Sequence, residues 1–308
     1  MIYRNISDLI GKTPMIEITG YDIPNGSRIL AKLEMFNPGG SIKDRLGKKL
    51  IEAALASGEI NHETTIVEPT AGNTGIGLAL AALAHGMPTL FVVPEQFSIE
   101  KQQLMKALGA EIVHTPTKKG MKGAIEKAKE INRTHPNAYL PLQFENERNP
   151  ETYYETLGPE LLSDLDGEYP DSFVAGAGSG GTFSGIAKYL KEQQSDIRTV
   201  VVEPEGSIIG GGKPGPHKTE GIGMEFIPAF MKKEWIDQVY TISDDDAFFF
   251  TEALAKRNGL FVGSSSGAAF AAAIEEAKRL PAGSTIVTIF PDSSERYLSK
   301  NIYKGAQS

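Results

Sequence analysis

The chain has 308 residues, of which 40% are hydrophobic and 23% are charged. This length provides a sizeable core and exceeds one ordinary domain, so two domains are expected. With 31 basic against 39 acidic residues the formal net charge is -8, which argues against nucleic acid as a partner and favours a small-molecule substrate. The chain has no cysteine, which excludes disulfides, thiolate metal sites and cysteine nucleophiles.

The N-terminal residues lack the apolar segment of a signal peptide, and no apolar run is long enough to span a bilayer. We therefore expect a cytoplasmic protein with no membrane partner. The five histidines show neither HExxH nor paired spacing, so no metal site is predicted.

Strands and helices alternate in chain order. Hydrophobic periodicity and capping residues predict strands at 29–33, 65–67, 89–93, 111–114, 139–142, 172–175, 199–203, 238–242 and 285–290, and helices at 43–57, 74–85, 98–108, 121–133, 182–194, 245–258 and 268–280. Pro150 suits the first turn of another helix, and a domain boundary is expected near 145–152. Such alternation is typical of an α/β protein whose parallel sheets are covered by helices on both faces.

The stretch from Asn37 to Arg45 brings a lysine to the start of a predicted helix. Two glycines there allow a tight turn, Ser41 can cap the helix, and the partial positive charge of a helix N-terminus disfavours an ammonium group. A neutral lysine can attack a carbonyl, as Schiff-base chemistry requires. Lys43 is therefore a candidate catalytic residue, although a solvated lysine in the first turn is the alternative at this point.

Three glycine-rich turns follow predicted strands and precede predicted helices, at 70–75, 176–182 and 263–267. In a parallel α/β sheet, turns of this kind line the crevice in which ligands bind. The second turn is the best candidate for a phosphate, because its glycines let backbone N–H groups converge and its hydroxyls add donors. Its residues are Gly178, Ser179, Gly180, Gly181 and Thr182.

The second turn also matches the dinucleotide pattern G-x-G-x-x-G, through Gly176, Gly178 and Gly181. An NAD-dependent oxidoreductase is therefore an alternative interpretation. A single phosphate is enough to explain the turn, however, and the oxidoreductase interpretation assigns no role to the turns around Lys43 and Asn73.

The other two turns offer polar side chains to an organic ligand. In the first turn, Asn73 supplies an amide, and Thr70 and Thr74 supply hydroxyls, which together suit the carboxylate of an amino acid. Simple capping of the following helix would also explain these residues. The third turn has serines at 264, 265 and 266, any of which can form a hydrogen bond with a ring nitrogen.

Together these motifs resemble the cysteine synthase and cystathionine β-synthase family of pyridoxal-phosphate enzymes, over nearly the whole chain. The resemblance implies that Lys43 forms the Schiff base with pyridoxal 5'-phosphate, and that Asn73 and Ser265 contact the cofactor's ring oxygen and ring nitrogen. It implies that residues 178–182 hold the phosphate, with Ser179 where threonine is commoner. Its implied substrate-binding residues are Thr70, Ala71, Gly72, Asn73, Thr74, Gln143 and Gly221, with Ala71 where serine is commoner.

The resemblance also sets the expected fold and reaction. The fold is that of a fold-type II enzyme, related to the tryptophan synthase β chain, with two doubly wound parallel-sheet domains. A smaller mobile domain at 41–150 carries the substrate loop, and 1–40 with 151–308 forms a larger phosphate-binding domain.

The implied reaction is β-replacement on O-acetyl-L-serine or L-serine with homocysteine, sulfide or both, giving L-cystathionine, L-cysteine or both. Another fold-type II enzyme, such as a dehydratase, is the alternative within this class, and a homodimer is implied.

Overall fold

The structure, a computed structural model, describes residues 2–70, 72–95 and 97–303. The chain divides into two compact units. The first comprises the described residues up to Gly11 together with Asn37–Arg148, and the second comprises Lys12–Phe36 together with the described residues from Asn149 onward.

The regular elements alternate along the chain. The strands are β1 (Met15–Glu17), β2 (Arg28–Leu33), β3 (Thr65–Pro69), β4 (Thr89–Pro94), β5 (Glu111–Thr115), β6 (Ala138–Tyr139), β7 (Ser172–Gly176), β8 (Arg198–Pro204), β9 (Gln238–Ile242) and β10 (Thr285–Phe290). The α-helices are α1 (Lys43–Ala56), α2 (Asn73–Ala84), α3 (Ile99–Ala107), α4 (Gly120–Thr134), α5 (Arg148–Glu155), α6 (Leu157–Asp164), α7 (Gly181–Gln193), α8 (Asp244–Asn258) and α9 (Ser264–Ala277).

The first unit contains a four-stranded sheet in the order β5-β4-β3-β6, in which every neighbouring pair is parallel. Val67 of β3 and Val92 of β4 pack with Ala124 and Ala128 of α4 in one buried cluster. Because successive side chains of a strand point to opposite faces, Glu68 points away from α4. The last residue of β3, Pro69, leads directly into the turn that begins at Thr70.

The second unit contains a six-stranded sheet in the order β1-β2-β10-β7-β8-β9. Its strands run parallel except for β1, which pairs antiparallel with β2 at the edge. The central strands and α9 share one large apolar core, which includes Val200, Val202, Phe270 and Phe290. Strand β8 is buried from its second residue onward, and its centre is the apolar run Val200, Val201 and Val202, as expected for a parallel strand covered on both sides.

The limits of the two units differ from the predicted domains of 41–150 and 1–40 plus 151–308. The N-terminal residues belong to the first unit, because Lys48 donates to the carbonyl of Ser7 at 3.2 Å and Gly11 N–H donates to the Asn37 side chain at 2.8 Å. These contacts link residues far apart in sequence, so hydrophobic periodicity does not report them.

Most predicted elements agree with the structure to within a few residues, and three differ. The strand predicted at 139–142 ends at Tyr139, because Leu142 has a left-handed backbone with φ 52° and starts a turn. Helix α9 begins at Ser264 and not at residue 268, so the three serines occupy its first turn. The residue preceding α1 is Ile42 and not Ser41, although Ser41 Oγ accepts the Lys43 N–H at 3.2 Å.

The two helices that carry the predicted catalytic lysine and substrate loop pack unusually closely. A Cβ atom on Gly47 of α1 would lie 2.2 Å from the carbonyl oxygen of Gly77 in α2, and a Cβ atom on Gly77 would lie 2.3 Å from the carbonyl oxygen of Lys43. The backbones therefore touch, and only glycine fits at either position. This contact holds the first turn of α1 against α2.

In the part of the chain that the structure describes, no helix combines the length and the apolar character needed to cross a membrane.

Replacing Gly47 with alanine tests the contact between α1 and α2. Alanine is the better helix former by about 0.8–1 kcal/mol, but its Cβ would meet a backbone carbonyl that cannot rotate away. We expect Gly47→Ala to lower the free energy of unfolding by about 1–3 kcal/mol, as overpacking does, measured by urea denaturation. Leu83→Ala is the control, because Leu83 lies on α2 and is 55% exposed. A Gly47→Ala protein as stable as the wild type would contradict the contact.

Candidate active site

The turn before Lys43 is built from backbone and side-chain hydrogen bonds. Gly40 has a left-handed φ of 76° and its N–H donates to the carbonyl of Asn37 at 2.7 Å. Asp44 accepts the N–H of Gly39, and a Cβ atom on Gly39 would lie 2.4 Å from the Asp44 carboxylate. Both glycines of the motif are thus required by the turn, which delivers Lys43 as the first residue of α1.

The amine of Lys43 has a lowered pKa. The residue is half-buried, and removal from water, which penalises the ammonium form, lowers its pKa from 10.5 to about 8. At pH 7 roughly a tenth of such amines are neutral, against fewer than about one in a thousand for an ordinary lysine. Burial is the cause of this lowered pKa.

The predicted substrate loop connects β3 to α2. Thr70 is buried, and its Oγ1 accepts the N–H of Gly72 at 3.3 Å. Gly72 precedes α2 in extended conformation, and no described side chain caps the helix there. The capping alternative for this turn therefore finds no support in the described residues. Asn73 is half-buried in the first turn of α2, whereas Ala71 lies outside the described residues.

Gln143 lies next to the first turn of α2. Thr74 Oγ1 donates to Gln143 Oε1 at 2.8 Å, and both side chains are buried. The structure therefore brings together two of the residues that sequence motifs predict to bind a carboxylate, although 69 positions separate them in the chain.

Glu68 is a residue near this pair that sequence reasoning missed. Its carboxylate is buried and accepts the N–H groups of Leu142 at 2.9 Å and Gln143 at 3.2 Å. Burial raises the pKa of Glu68 from 4.5 to about 7, and the two backbone hydrogen bonds oppose that rise. The available sequence signal was a single acidic residue within the otherwise apolar strand β3.

The predicted phosphate loop joins β7 to α7 in the second unit. Gly180 precedes α7 with a left-handed φ of 82°, and no side chain in the described part of the chain caps this helix. A Cβ atom on Gly178 would lie 2.2 Å from the Gly221 carbonyl oxygen, and one on Gly181 would lie 1.9 Å from the Asn149 side chain. The glycines therefore keep a narrow turn open beside uncapped backbone N–H groups.

Two polar side chains complete this turn. Ser179 is buried and its hydroxyl accepts a hydrogen bond from Asn149 Nδ2 at 3.1 Å. Thr182 is half-buried in the first turn of α7. Asn149 is a further residue that sequence reasoning missed, because its partner lies 30 positions away in the chain.

The third glycine-rich turn leads into α9. Ser265 is buried in the first turn of this helix, and a Cβ atom on Gly221 would lie 3.9 Å from its hydroxyl oxygen. The hydroxyl of the neighbouring Ser264 has a partner within the protein, because it accepts the N–H of Glu220 at 3.2 Å. The structure thus brings Gly221 beside Ser265 within the second unit.

Asp292 and Tyr297 support the start of α9. The carbonyl of Asp292 accepts the N–H of Gly263 at 3.1 Å, and its carboxylate accepts the hydroxyl of Tyr297. A Cβ atom on Gly263 would lie 2.3 Å from Asp292 Oδ1. Among the described residues there is no cluster of three or more histidine or acidic side chains able to hold a metal ion.

The chain belongs to the family described as pyridoxal-phosphate dependent enzymes, whose model matches residues 6–292. The residues fit this cofactor. A half-buried lysine of lowered pKa provides a reactive amine, and a glycine-lined helix start with uncapped N–H groups suits a phosphate. The predicted class of pyridoxal-phosphate enzyme and the predicted fold class, an α/β protein of fold type II with parallel sheets, are thereby confirmed.

Individual relatives are similar over the full chain. A protein of Helicobacter pylori strain ATCC 700392 / 26695 named cysteine synthase is 59% identical over 305 residues, which cover 98% of this chain and 99% of the relative. A Bacillus subtilis strain 168 protein named O-acetylserine dependent cystathionine beta-synthase is 56% identical over 304 residues, covering 99% of each. A crystal structure of the O-acetylserine dependent cystathionine beta-synthase from Helicobacter pylori matches with a TM-score of 0.95 and 59% identity, covering 98% of this chain and 99% of that one.

Proposed function

We propose that this protein catalyses pyridoxal-phosphate-dependent β-replacement on O-acetyl-L-serine, or L-serine, with a sulfur nucleophile. The nucleophile is homocysteine, sulfide or both, and the products are L-cystathionine, L-cysteine or both. The observation that carries the proposal is the half-buried Lys43, with its lowered pKa, in a chain of this family. The names of the relatives, cysteine synthase and O-acetylserine dependent cystathionine beta-synthase, support the reaction.

Lys43 has two roles in this proposal. Its amine holds the cofactor covalently, and the lowered pKa favours this reaction because only the neutral amine attacks a carbonyl. When bound, the cofactor serves as an electron sink for charge that develops on the substrate Cα. With the amino-acid substrate in the site, the Lys43 Nζ amine would take the Cα proton and later return it.

The remaining residues hold the cofactor and the substrate. The N–H groups of 178–182 and the hydroxyls of Ser179 and Thr182 bind the phosphate, Asn73 contacts the ring oxygen, and Ser265 forms a hydrogen bond with the ring nitrogen. Thr70, Gly72, Thr74, Gln143 and the backbone of Gly221 bind the substrate, with its carboxylate near the start of α2. The Thr74 to Gln143 hydrogen bond of 2.8 Å supports this assignment.

The chemistry of Ser265 favours β-replacement over transamination. A neutral hydroxyl, unlike an aspartate, does not hold a proton on the ring nitrogen, so the electron sink is weaker. A weak sink suits prompt loss of acetate from Cβ and addition of a thiolate at the same carbon. The oxidoreductase alternative is not favoured, since the family that matches residues 6–292 uses pyridoxal phosphate.

The covalent role proposed for Lys43 can be tested by chemical reduction of its bond to the cofactor. Borohydride reduction of the yellow, cofactor-loaded protein should bleach it and leave a stable adduct on Lys43, located by peptide mass spectrometry. The rate at which cofactor-free protein captures pyridoxal phosphate should rise with pH and level off above about 8, because the neutral fraction of Lys43 rises through its pKa.

The control for trapping is Lys43→Ala, which should bind the cofactor without forming the adduct. Lys48 and Lys49 lie in the same helix and serve as internal controls. An adduct on either of them, or a capture rate that keeps rising to pH 10, would contradict the assignment.

The choice of nucleophile can be measured by competition. With O-acetylserine, homocysteine and sulfide together at equal concentration, the ratio of cystathionine to cysteine reports the ratio of the two kcat/KM values. We expect both products, since relatives at 56% and 59% identity carry the two different names. Formation of a keto acid and ammonia without either sulfur product would instead indicate a dehydratase.

A homodimer is part of the proposal. The family resemblance supports it, and so do large exposed apolar side chains such as Phe249 and Phe261, which are 59% and 61% exposed. Sedimentation equilibrium should give twice the mass of one chain, and a monomer at micromolar concentration would contradict this. The free amino acids and thiols proposed as substrates fit a cytoplasmic location, which cell fractionation would check.

A further inference from the structure

Glu68 joins two segments of the first unit that are far apart in sequence. It is the penultimate residue of β3, 1% exposed, and lies two positions before Thr70, where the substrate loop begins. Its Oε2 accepts the N–H of Leu142 at 2.9 Å and its Oε1 accepts the N–H of Gln143 at 3.2 Å. One carboxylate thus satisfies two consecutive backbone donors that lie beyond the end of β6.

The backbone at this point needs such support. Leu142 has a left-handed φ of 52°, which is unfavourable for a residue with a bulky side chain. Its carbonyl accepts the N–H groups of Glu145 and Asn146 at 2.9 and 3.1 Å. The turn therefore reverses sharply at Leu142, with the Glu68 carboxylate on the N–H side.

The turn presents Gln143 to the substrate loop. Thr74 Oγ1 donates to Gln143 Oε1 at 2.8 Å, so the backbone that Glu68 holds is the backbone whose side chain meets the first turn of α2. A displacement of the Leu142 and Gln143 N–H groups would move the Gln143 amide away from Thr74.

From this arrangement we infer that Glu68 is a positioning residue for substrate recognition: its carboxylate fixes the turn at Leu142 so that Gln143 and Thr74 bind the carboxylate of the amino-acid substrate. The inference rests on the proposed function, which assigns Thr74 and Gln143 to that carboxylate. Glu68 itself acts through the backbone and does not touch the substrate.

The surroundings of Glu68 make this support dependent on pH. Strand β4 and helix α2 pack against β3, and neither carries a titratable side chain. The neighbouring strand β6 carries Tyr139. The charged side chains of α4 lie on the other face of the sheet, because Val67 and not Glu68 faces that helix. The charge of Glu145, which pairs with Lys129 at 3.3 Å, adds to the effect of burial in raising the pKa of Glu68 to about 7. A protonated carboxyl keeps one good acceptor oxygen and loses the other.

The test compares Glu68→Gln with the wild type as cofactor-loaded enzymes. The amide has the shape of a protonated carboxyl and turns one acceptor into a donor that faces a backbone N–H. We expect KM for O-acetylserine at pH 8 to rise about tenfold, as for the loss of one buried hydrogen bond, with kcat and cofactor content within about twofold of the wild type.

The pH dependence of this effect separates positioning from general damage. The ratio of the variant's KM to that of the wild type should shrink towards one as the pH falls from 8 to 6, because the wild type then carries a protonated Glu68. The ratio of the two KM values at each pH is unaffected by the titration of Lys43 and of the substrate amine, because these groups are the same in both proteins.

Glu203 provides a matched control. It is also 1% exposed, and it accepts the N–H groups of Ile209 at 2.8 Å and Gly210 at 3.0 Å in the second unit. Glu203→Gln makes the same chemical change in a turn without a proposed substrate contact, so it should leave KM for O-acetylserine within about twofold of the wild type.

Amide hydrogen exchange gives a readout that does not depend on activity. In the wild type, the N–H groups of Leu142 and Gln143 should lose protection between pH 8 and pH 6 after correction for intrinsic rates, and in Glu68→Gln they should be unprotected at both pH values. The wild-type measurement alone tests the support if the variant fails to fold.

The outcomes distinguish the inference from the function on which it rests. An unchanged KM in Glu68→Gln, or protection that does not change with pH, overturns the positioning role while β-replacement stands. If O-acetylserine is not a substrate at all, the proposed function fails, and the exchange of the Leu142 and Gln143 amides still decides whether Glu68 holds the turn.

Discussion

The backbone contact between α1 and α2 is the constraint on which the first unit depends. Two glycines, Gly47 and Gly77, let the helices touch, and Gly77 lies against the carbonyl of Lys43. The reactive lysine and the substrate loop begin these same two helices. A helix pair with ordinary side chains between its backbones would be separated by several ångströms more, and Lys43 would move relative to Thr70 and Thr74 by a comparable distance.

Two kinds of helix start can be compared, those that follow a capping serine and those that follow a glycine. Helices α3 and α8 begin after Ser98 and Ser243, whose hydroxyls accept backbone N–H groups of the first turn. Helices α2, α7 and α9 begin instead after a glycine, and no described side chain caps them. An uncapped helix start carries unsatisfied donors and partial positive charge. The three glycine turns therefore place partial positive charge where the proposed cofactor and substrate would bind.

Local sequence predicted the parts of this protein that depend on neighbouring residues. The alternation of strands and helices and the turns of 70–75, 176–182 and 263–267 follow from periodicity and from glycine placement, and the structure contains them. The resemblance of the motifs predicted the family, which the match over residues 6–292 and the relatives at 59% and 56% identity confirm. The roles assigned to individual site residues stay predictions, although the structure brings Thr74 to Gln143 and Gly221 to Ser265.

What the sequence did not predict depends on contacts between distant positions. The strand expected at 139–142 was wrong because the backbone of Leu142 is held in a left-handed turn by a carboxylate 74 positions away. The start of α9 was placed four residues late because Asp292 and Glu220 bind the residues around it. Neither effect alters the local hydrophobic pattern, so periodicity gives no sign of it.

The contact between the Glu68 carboxylate and the turn at Leu142 has a cost in the stability of the fold. Its pKa in the folded protein, about 7, lies above the ordinary value of 4.5, so the folded state binds this proton more tightly than the unfolded state does. The stabilising contribution of the protonated form is complete below about pH 4.5 and is lost as the pH rises through 7. The two acceptors needed to hold Leu142 and Gln143 are present only above that range. At neutral pH the ionised carboxylate therefore lowers the stability of the fold relative to the protonated carboxyl, while it accepts both N–H groups of the turn that presents Gln143.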